Sequence, residues 1–162
     1  LPWKGSLVSL AWSPGAKVIA CGTQECGVRF WRLASGQASE MNGYPEKPRA
    51  LAWDPKGTLL ATGGSPLVMI WSFRGKGPEG TRATQLRSHE DSISKLAFSR
   101  DGSRLASGAK DGRVLVWELR DPRRPRASHA IGGEITGLAW LHGDGALVVS
   151  SSDGGLQRID SK

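Results

Sequence analysis

Apolar and polar residues alternate along the chain in short stretches, and turn-forming residues break each stretch from the next. Val28-Arg29-Phe30-Trp31 and Val114-Leu115-Val116-Trp117 send every second side chain to one face, which is the period of a strand. No segment sustains a helical period. Three kinds of stretch recur in fixed order. The first is Leu10-Ala11-Trp12, then Leu51-Ala52-Trp53, Leu96-Ala97-Phe98 and Leu138-Ala139-Trp140. The second begins apolar and ends small: KVIACGT from Lys17, TLLATGG from Thr58, RLASGAK from Arg104 and ALVVSSS from Ala146. The third closes on Trp31, Trp71 and Trp117, and decays to Ile159 in the last copy. Turn residues such as Ser13-Pro14-Gly15, Asp54-Pro55, Asp101-Gly102 and Asp111-Gly112 lie between them. More polar stretches near 37–41, 81–86 and 126–131 predict a fourth strand per unit.

The aromatic that ends the first stretch advances by 41, 45 and 42 residues. The residue closing the third advances by 40, 46 and 42. Two landmarks keeping one period define an internal repeat. The units span approximately 7–47, 48–91, 92–133 and 134–162 of a single domain, 1–162. Four strands per unit, with Trp closing the third, is the pattern of a β-propeller blade. Leu86–Ser99, Leu105–Gly112 and Val114–Leu119 carry the closest match, and on them the chain resembles the WD40 repeat family. The family's Gly-His pair reads Ser88-His89 here, and its Trp-Asp pair reads Trp117-Glu118, Trp31-Arg32 and Trp71-Ser72. Gly75–Thr81 also resembles an insert of a bacterial WD40 subgroup.

The resemblance implies an all-β propeller with four blades of four antiparallel strands, set in a larger ring of about seven blades. The last unit ends soon after its third strand, and Leu1–Gly5 has about the length of a missing fourth. Three closures follow: further blades of the same chain, a second copy making eight blades, or four blades closing alone with Leu1–Gly5 as the outer strand. The sequence opens on Leu1 with no charged leader, and is expected to be an interior piece of something longer or a processed chain.

Composition narrows the classes. No apolar run approaches the length of a membrane span, so no membrane partner is expected. Seven Trp against one Tyr and three Phe fit a positional role for Trp. Two Cys cannot make a disulfide framework, and a cytoplasmic location is expected. Cys21 and Cys26 have no further ligands nearby in sequence, so neither a metal nor another cofactor is expected. The net charge of +7 includes Arg120-Asp121-Pro122-Arg123-Arg124-Pro125-Arg126, which invites nucleic acid. The stretch has no interleaved aromatics and is stiffened by Pro, so a solvated loop is favoured. Gly75–Thr81 is Gly-rich, but Pro78 interrupts it and Thr81 stands where a phosphate loop needs Lys.

The resemblance implies a buried network of His89, Ser107, Asp111 and Trp117. Its chemistry is self-satisfying: Trp donates, Ser relays, a neutral His both donates and accepts, and Asp accepts. The same Ser, His and Asp read as a hydrolase triad only if the Ser is exposed beside an oxyanion hole. The family analogy favours a non-catalytic scaffold that binds other proteins or peptides on one rim. Its candidate rim residues are Gln24, Lys47, Arg49, Ser92, Ser94, Lys110, Glu134 and Thr136. A propeller enzyme with a central-channel site, with Glu134 as main candidate, and a nucleic-acid module using Arg120–Arg126 are the alternatives.

Overall fold

The computed structural model describes residues 3–161. Leu1 and Pro2, part of the segment weighed as an outer strand, lie outside them. The first sheet holds β1 (Leu7–Trp12), β2 (Val18–Thr23), β3 (Val28–Arg32) and β4 (Gln37–Met41), in that order. The second holds β5 (Ala50–Trp53), β6 (Leu59–Gly63), β7 (Leu67–Ser72) and β8 (Thr84–Arg87). The third holds β9 (Ile93–Phe98), β10 (Arg104–Ala109), β11 (Arg113–Glu118) and β12 (Ala127–Ala130). The fourth holds β13 (Ile135–Trp140), β14 (Ala146–Ser151) and β15 (Leu156–Asp160). All pairings are antiparallel between neighbours in sequence. Three blades have the expected four strands, and the fourth has three among the described residues. The outer strand expected at 81–86 begins instead at Thr84, because the preceding loop folds back toward the first blade.

Alternation along each third strand explains how the blades stack. Val28 and Phe30 turn to the second blade and meet Leu60, Met69 and Trp71. Ile70 and Val68 turn to the third blade and meet Leu105, Leu115 and Trp117. Val114 and Val116 turn to the fourth and meet Leu147, Val149 and Ile159. Each interface is an apolar layer, the dominant stabilising contribution at these joints.

The small residues that end each second strand have a specific cause. A Cβ on Gly22 would lie 2.0 Å from the Pro48 carbonyl oxygen, and one on Gly108 would lie 2.5 Å from Ile135 Cγ2. The next blade's first strand crosses there, too close for a side chain. The fourth blade carries Ser150 at this position. Polar clips reinforce the same joints. The Trp53 indole donates to the Ala11 carbonyl at 3.3 Å, and the Trp140 indole to the Ala97 carbonyl at 2.9 Å. The Ser9 and Ser94 hydroxyls donate to the Pro48 and Ile135 carbonyls, each at 2.6 Å.

Among the described residues no blade lies against the outer face of the first blade. Trp3 packs there on Ile19, Cys21 and Trp31, with the Arg29 guanidinium 4.3 Å above its ring. Trp3 thus lies on the first blade and not beside β15. Leu10 and Trp12 on the same face are 64% and 52% exposed.

Candidate functional site

One position in each unit organises its blade: the residue nine before the aromatic that ends the first strand. In the third blade it is His89. The Trp117 indole donates to Ser107 Oγ at 2.8 Å, and Ser107 Oγ lies 2.8 Å from His89 Nε2. His89 Nδ1 lies 3.1 Å from Asp111 Oδ2. The carboxylate only accepts, so Nδ1 carries the proton, and the Ser107 hydroxyl then donates to Nε2. Asp111 also accepts the Glu90 N–H at 3.0 Å and the Arg113 N–H at 2.9 Å. The four residues expected together are therefore together, and every hydrogen in the chain has one direction.

Burial pushes the His89 pKa below its ordinary value, outweighing Asp111, which raises it. Burial raises Asp111, but the Glu90 and Arg113 amides and His89 outweigh it and leave its carboxyl below the ordinary value. The resting pair is thus a neutral imidazole and a carboxylate.

The order Asp, His, Ser is that of a hydrolase triad. Two features separate them. Ser107 is 0% exposed, and its oxygen already accepts the Trp117 indole. A nucleophile needs an open approach for the substrate carbonyl. In this structure Ser107 relays a hydrogen bond inside a packed sheet.

The other blades use the same position differently, a pattern the sequence reading missed. In the second it is Tyr44, whose hydroxyl accepts the Trp71 indole at 2.7 Å and lies 3.0 Å from Thr62 Oγ1. Burial raises the Tyr44 pKa, so the phenol stays protonated. In the first it is Trp3, beside Cys21 and Trp31. In the fourth it is Ile131, in the apolar layer with Val149 and Ile159. The constant nine-residue offset was the signal available.

Six of the eight rim candidates line one pocket of about 310 Å³: Arg49, Ser92, Ser94, Lys110, Glu134 and Thr136. Lys47 lies in an adjoining pocket that shares Arg49. Gln24, exposed in the β2–β3 turn of the first blade, lies outside both. The Ser94 hydroxyl is committed to the Ile135 carbonyl, and the Ser92 hydroxyl donates to Glu46 at 3.2 Å. Thr136, at the equivalent of Ser94, lies 3.0 Å from Ser150 Oγ within its own blade.

Two other motifs have local partners. Arg123 pairs with Asp121 at 2.6 Å, and Glu118 takes Arg126 at 2.8 Å and Arg120 at 3.6 Å. Arg32 donates to the Gly77 carbonyl and to Glu79, which binds the Gly-rich loop to the first blade. Both cysteines are free thiols, and burial pushes Cys21 up. Among the described residues no three His, Cys, Asp or Glu side chains gather as a metal site, and no helix is long and apolar enough to cross a membrane.

The family model for the WD domain, G-beta repeat, matches residues 3–32, 37–72 and 80–118. The chain belongs to the WD40 repeat family. The matched WD40 units stop short of the fourth, where Ile131, Val149 and Ile159 replace the polar set. Coronin-7 of Rattus norvegicus is 29% identical over 166 residues, covering 94% of this chain and 18% of coronin-7. The anaphase-promoting complex subunit cdc20 of Dictyostelium discoideum is 25% identical over 138 residues, covering 83% and 27%. A chain in the crystal structure of the mitotic checkpoint complex superposes with a TM-score of 0.82 at 19% identity, covering 99% of this chain and 53% of that one. The chain thus spans less than a third of the two protein relatives and about half of the structural one. These relatives are eukaryotic and lend no support to a bacterial subgroup.

Proposed function

We propose that this WD40 chain belongs to a ring-shaped, non-catalytic scaffold that holds other proteins or peptides on one rim. The observation that carries the reading is the convergence of Arg49, Ser92, Lys110, Glu134 and Thr136 on one shallow pocket at the blade rim. Loops on a rigid stack of sheets are well suited to binding. The Ser107, His89 and Asp111 side chains, in triad order, are sealed in the third blade, which supports a role without catalysis. A central-channel enzyme would need free converging carboxylates. Glu46 and Glu134 share the rim pocket, but Glu46 accepts from Ser92, and Arg49 and Lys110 stand beside them. A nucleic-acid role for Arg120–Arg126 is weakened by the carboxylates on three of its four Arg.

The ring itself is part of the proposal. Trp53 and Trp140 each donate to the preceding blade, whereas Trp12 at the same position is half exposed beside Leu10. A further blade on that face, from the same chain or a second copy, would cover them. A cytoplasmic location is proposed too, and the two free thiols agree with a reducing compartment.

Site-specific photo-crosslinkers test the reading. In the full-length protein, probes at Lys110 and Thr136 should capture protein partners, while probes at Lys56 and Arg124 should not. Equal labelling from all four positions would refute a dedicated rim.

A further inference from the structure

We propose that the rim above the second blade is a groove for an extended acidic peptide carrying an apolar anchor residue. The inference rests on the scaffold reading and names its partner class. Three pockets of about 780, 310 and 310 Å³ adjoin one another there. Pro45 and Glu46 line the first two, and Glu46, Arg49 and Gly64 line the last two, so they lie side by side as one channel along the rim.

The groove opens where the polar network is lacking. In the third blade Asp111 takes the Glu90 amide and His89, and so draws the loop before β9 down onto the β10–β11 turn. The second blade has Ser65-Pro66 at that turn, with no carboxylate, and Tyr44 turns inward to Trp71. Among the described residues no carboxylate bridges the two segments, which meet where Gly64 approaches the Lys47 carbonyl, and the 780 Å³ pocket beside them is walled by Tyr44, Pro66 and Leu67. That wall is apolar, with Glu46, Gln85 and Arg87 lining the same pocket, and the space is large enough for one branched or aromatic side chain.

Along its whole length the channel is basic. Arg87, Lys47, Arg49, Lys95 and Lys110 line it, against the carboxylates of Glu46 and Glu134. None of the five cations forms an ion pair among the described residues. Arg87 has only the Gln85 side-chain carbonyl, at 2.7 Å. A cleft with an excess of one sign of charge, here five cations against two carboxylates, favours a ligand of opposite sign. An extended peptide suits a channel open along its length, with its apolar residue over Leu67 and its acids toward Arg49 and Lys110.

Fluorescence anisotropy on the full-length protein tests this with labelled peptides holding one Leu and three Glu, separated by one to five Gly-Ser spacers. At least one spacing should bind, and its Glu-to-Lys counterpart should bind about tenfold or more weaker. Arg49→Glu with Lys110→Glu should weaken the acidic peptide about tenfold, and added salt should do the same by screening. Leu67→Asp should weaken it about threefold or more by removing the apolar wall. Lys56→Glu, on the opposite rim, should change nothing. A Lys56→Glu loss equal to the groove loss would overturn the proposal, as would a panel in which acidic peptides bind no better than basic ones. Tighter binding of a thymidine decanucleotide that ignores Leu67→Asp would assign the groove to nucleic acid instead. Rim crosslinks to protein partners that survive the double charge reversal would sink the groove while leaving the scaffold standing.

Discussion

The third and fourth blades solve one packing problem with opposite chemistry. Behind the closing residue of its third strand, the third blade has His89, Ser107 and Trp117 in a hydrogen-bonded chain that ends on Asp111. The fourth has Ile131, Val149 and Ile159 in an apolar layer. Its Asp153 survives but is exposed, accepting only from Ser151 and from the Gly155 and Gly133 amides. The backbone pairing is the same in both: Leu105 faces Trp117 as Leu147 faces Ile159. A blade therefore needs a filled layer at this height, and polarity is an addition. The polar version ties the loop before the blade to the turn within it. In the apolar version the layer fills space, and the turn carboxylate reaches that loop through one long contact, to the Gly133 amide at 3.4 Å.

The most severe way to break that comparison is Trp117→Ala. It empties a fully buried site and removes the donor to Ser107, and should cost about 3–5 kcal/mol. Ile159→Ala, at the edge of its sheet, should cost about 2 kcal/mol, the low end for a large-to-small core change. Urea denaturation of the full-length protein checks both, and equal losses would mean the indole hydrogen bond adds nothing.

Next in size is the pair of turn carboxylates. Asp111→Ala leaves the His89 Nδ1 proton and two amides without an acceptor, and should cost about 1–3 kcal/mol. Asp153→Ala should cost less than about 1 kcal/mol, since water can replace its partners. Replacing His89, Ser107 and Trp117 together by Ile, Val and Ile copies the fourth blade. It should destabilise by less than the sum of the three single changes, because no polar group is left stranded. Strict additivity would show that the three do not act as a unit.

How much of this could be read in advance follows from which interactions are periodic. The sheets were legible because alternation and turn residues are local, and the network in the third blade because all four residue types survive there. Tyr44 was not read as its counterpart, because a phenol does the work of an imidazole without resembling one. Trp3 and Ile131 share no chemistry with His89, only its offset. The small residues at Gly22 and Gly108 were visible as a pattern, but their cause, a neighbouring strand at contact distance, belongs to another unit. The rim pocket likewise depends on Arg49, Lys110 and Glu134 from three different blades.

A smaller effect separates the second blade from the third. Tyr44→Phe removes the acceptor of the Trp71 indole, while Thr62 keeps the Met69 carbonyl at 3.2 Å. The loss should be about 1 kcal/mol, below that of Asp111→Ala. A Tyr44→Phe cost matching or exceeding Asp111→Ala would mean the phenol, and not the His–Asp pair, is the stronger form of the joint.

The finest distinction is in pH. His89 is held below its ordinary value of 6.5, so the unfolded state takes up a proton before the folded state does. The stabilisation is fully present above pH 6.5 and is lost as pH falls from there through the folded value. Asp111, held below 3.8, adds a second loss in the same direction, but only in stronger acid. The fourth blade has Ile131 in place of His89 and no such response at this position. Between pH 7.5 and 5.5, amide exchange corrected for its intrinsic pH dependence should therefore quicken in β10 and β11 more than in β14 and β15. Made in a Trp117→Phe background, so that no indole N–H loses the Ser107 hydroxyl, His89→Ile with Ser107→Val should abolish that difference without leaving a buried donor unpaired. Equal acceleration in both blades, or a difference that survives the double substitution, would place the pH response elsewhere and leave the imidazole as packing alone.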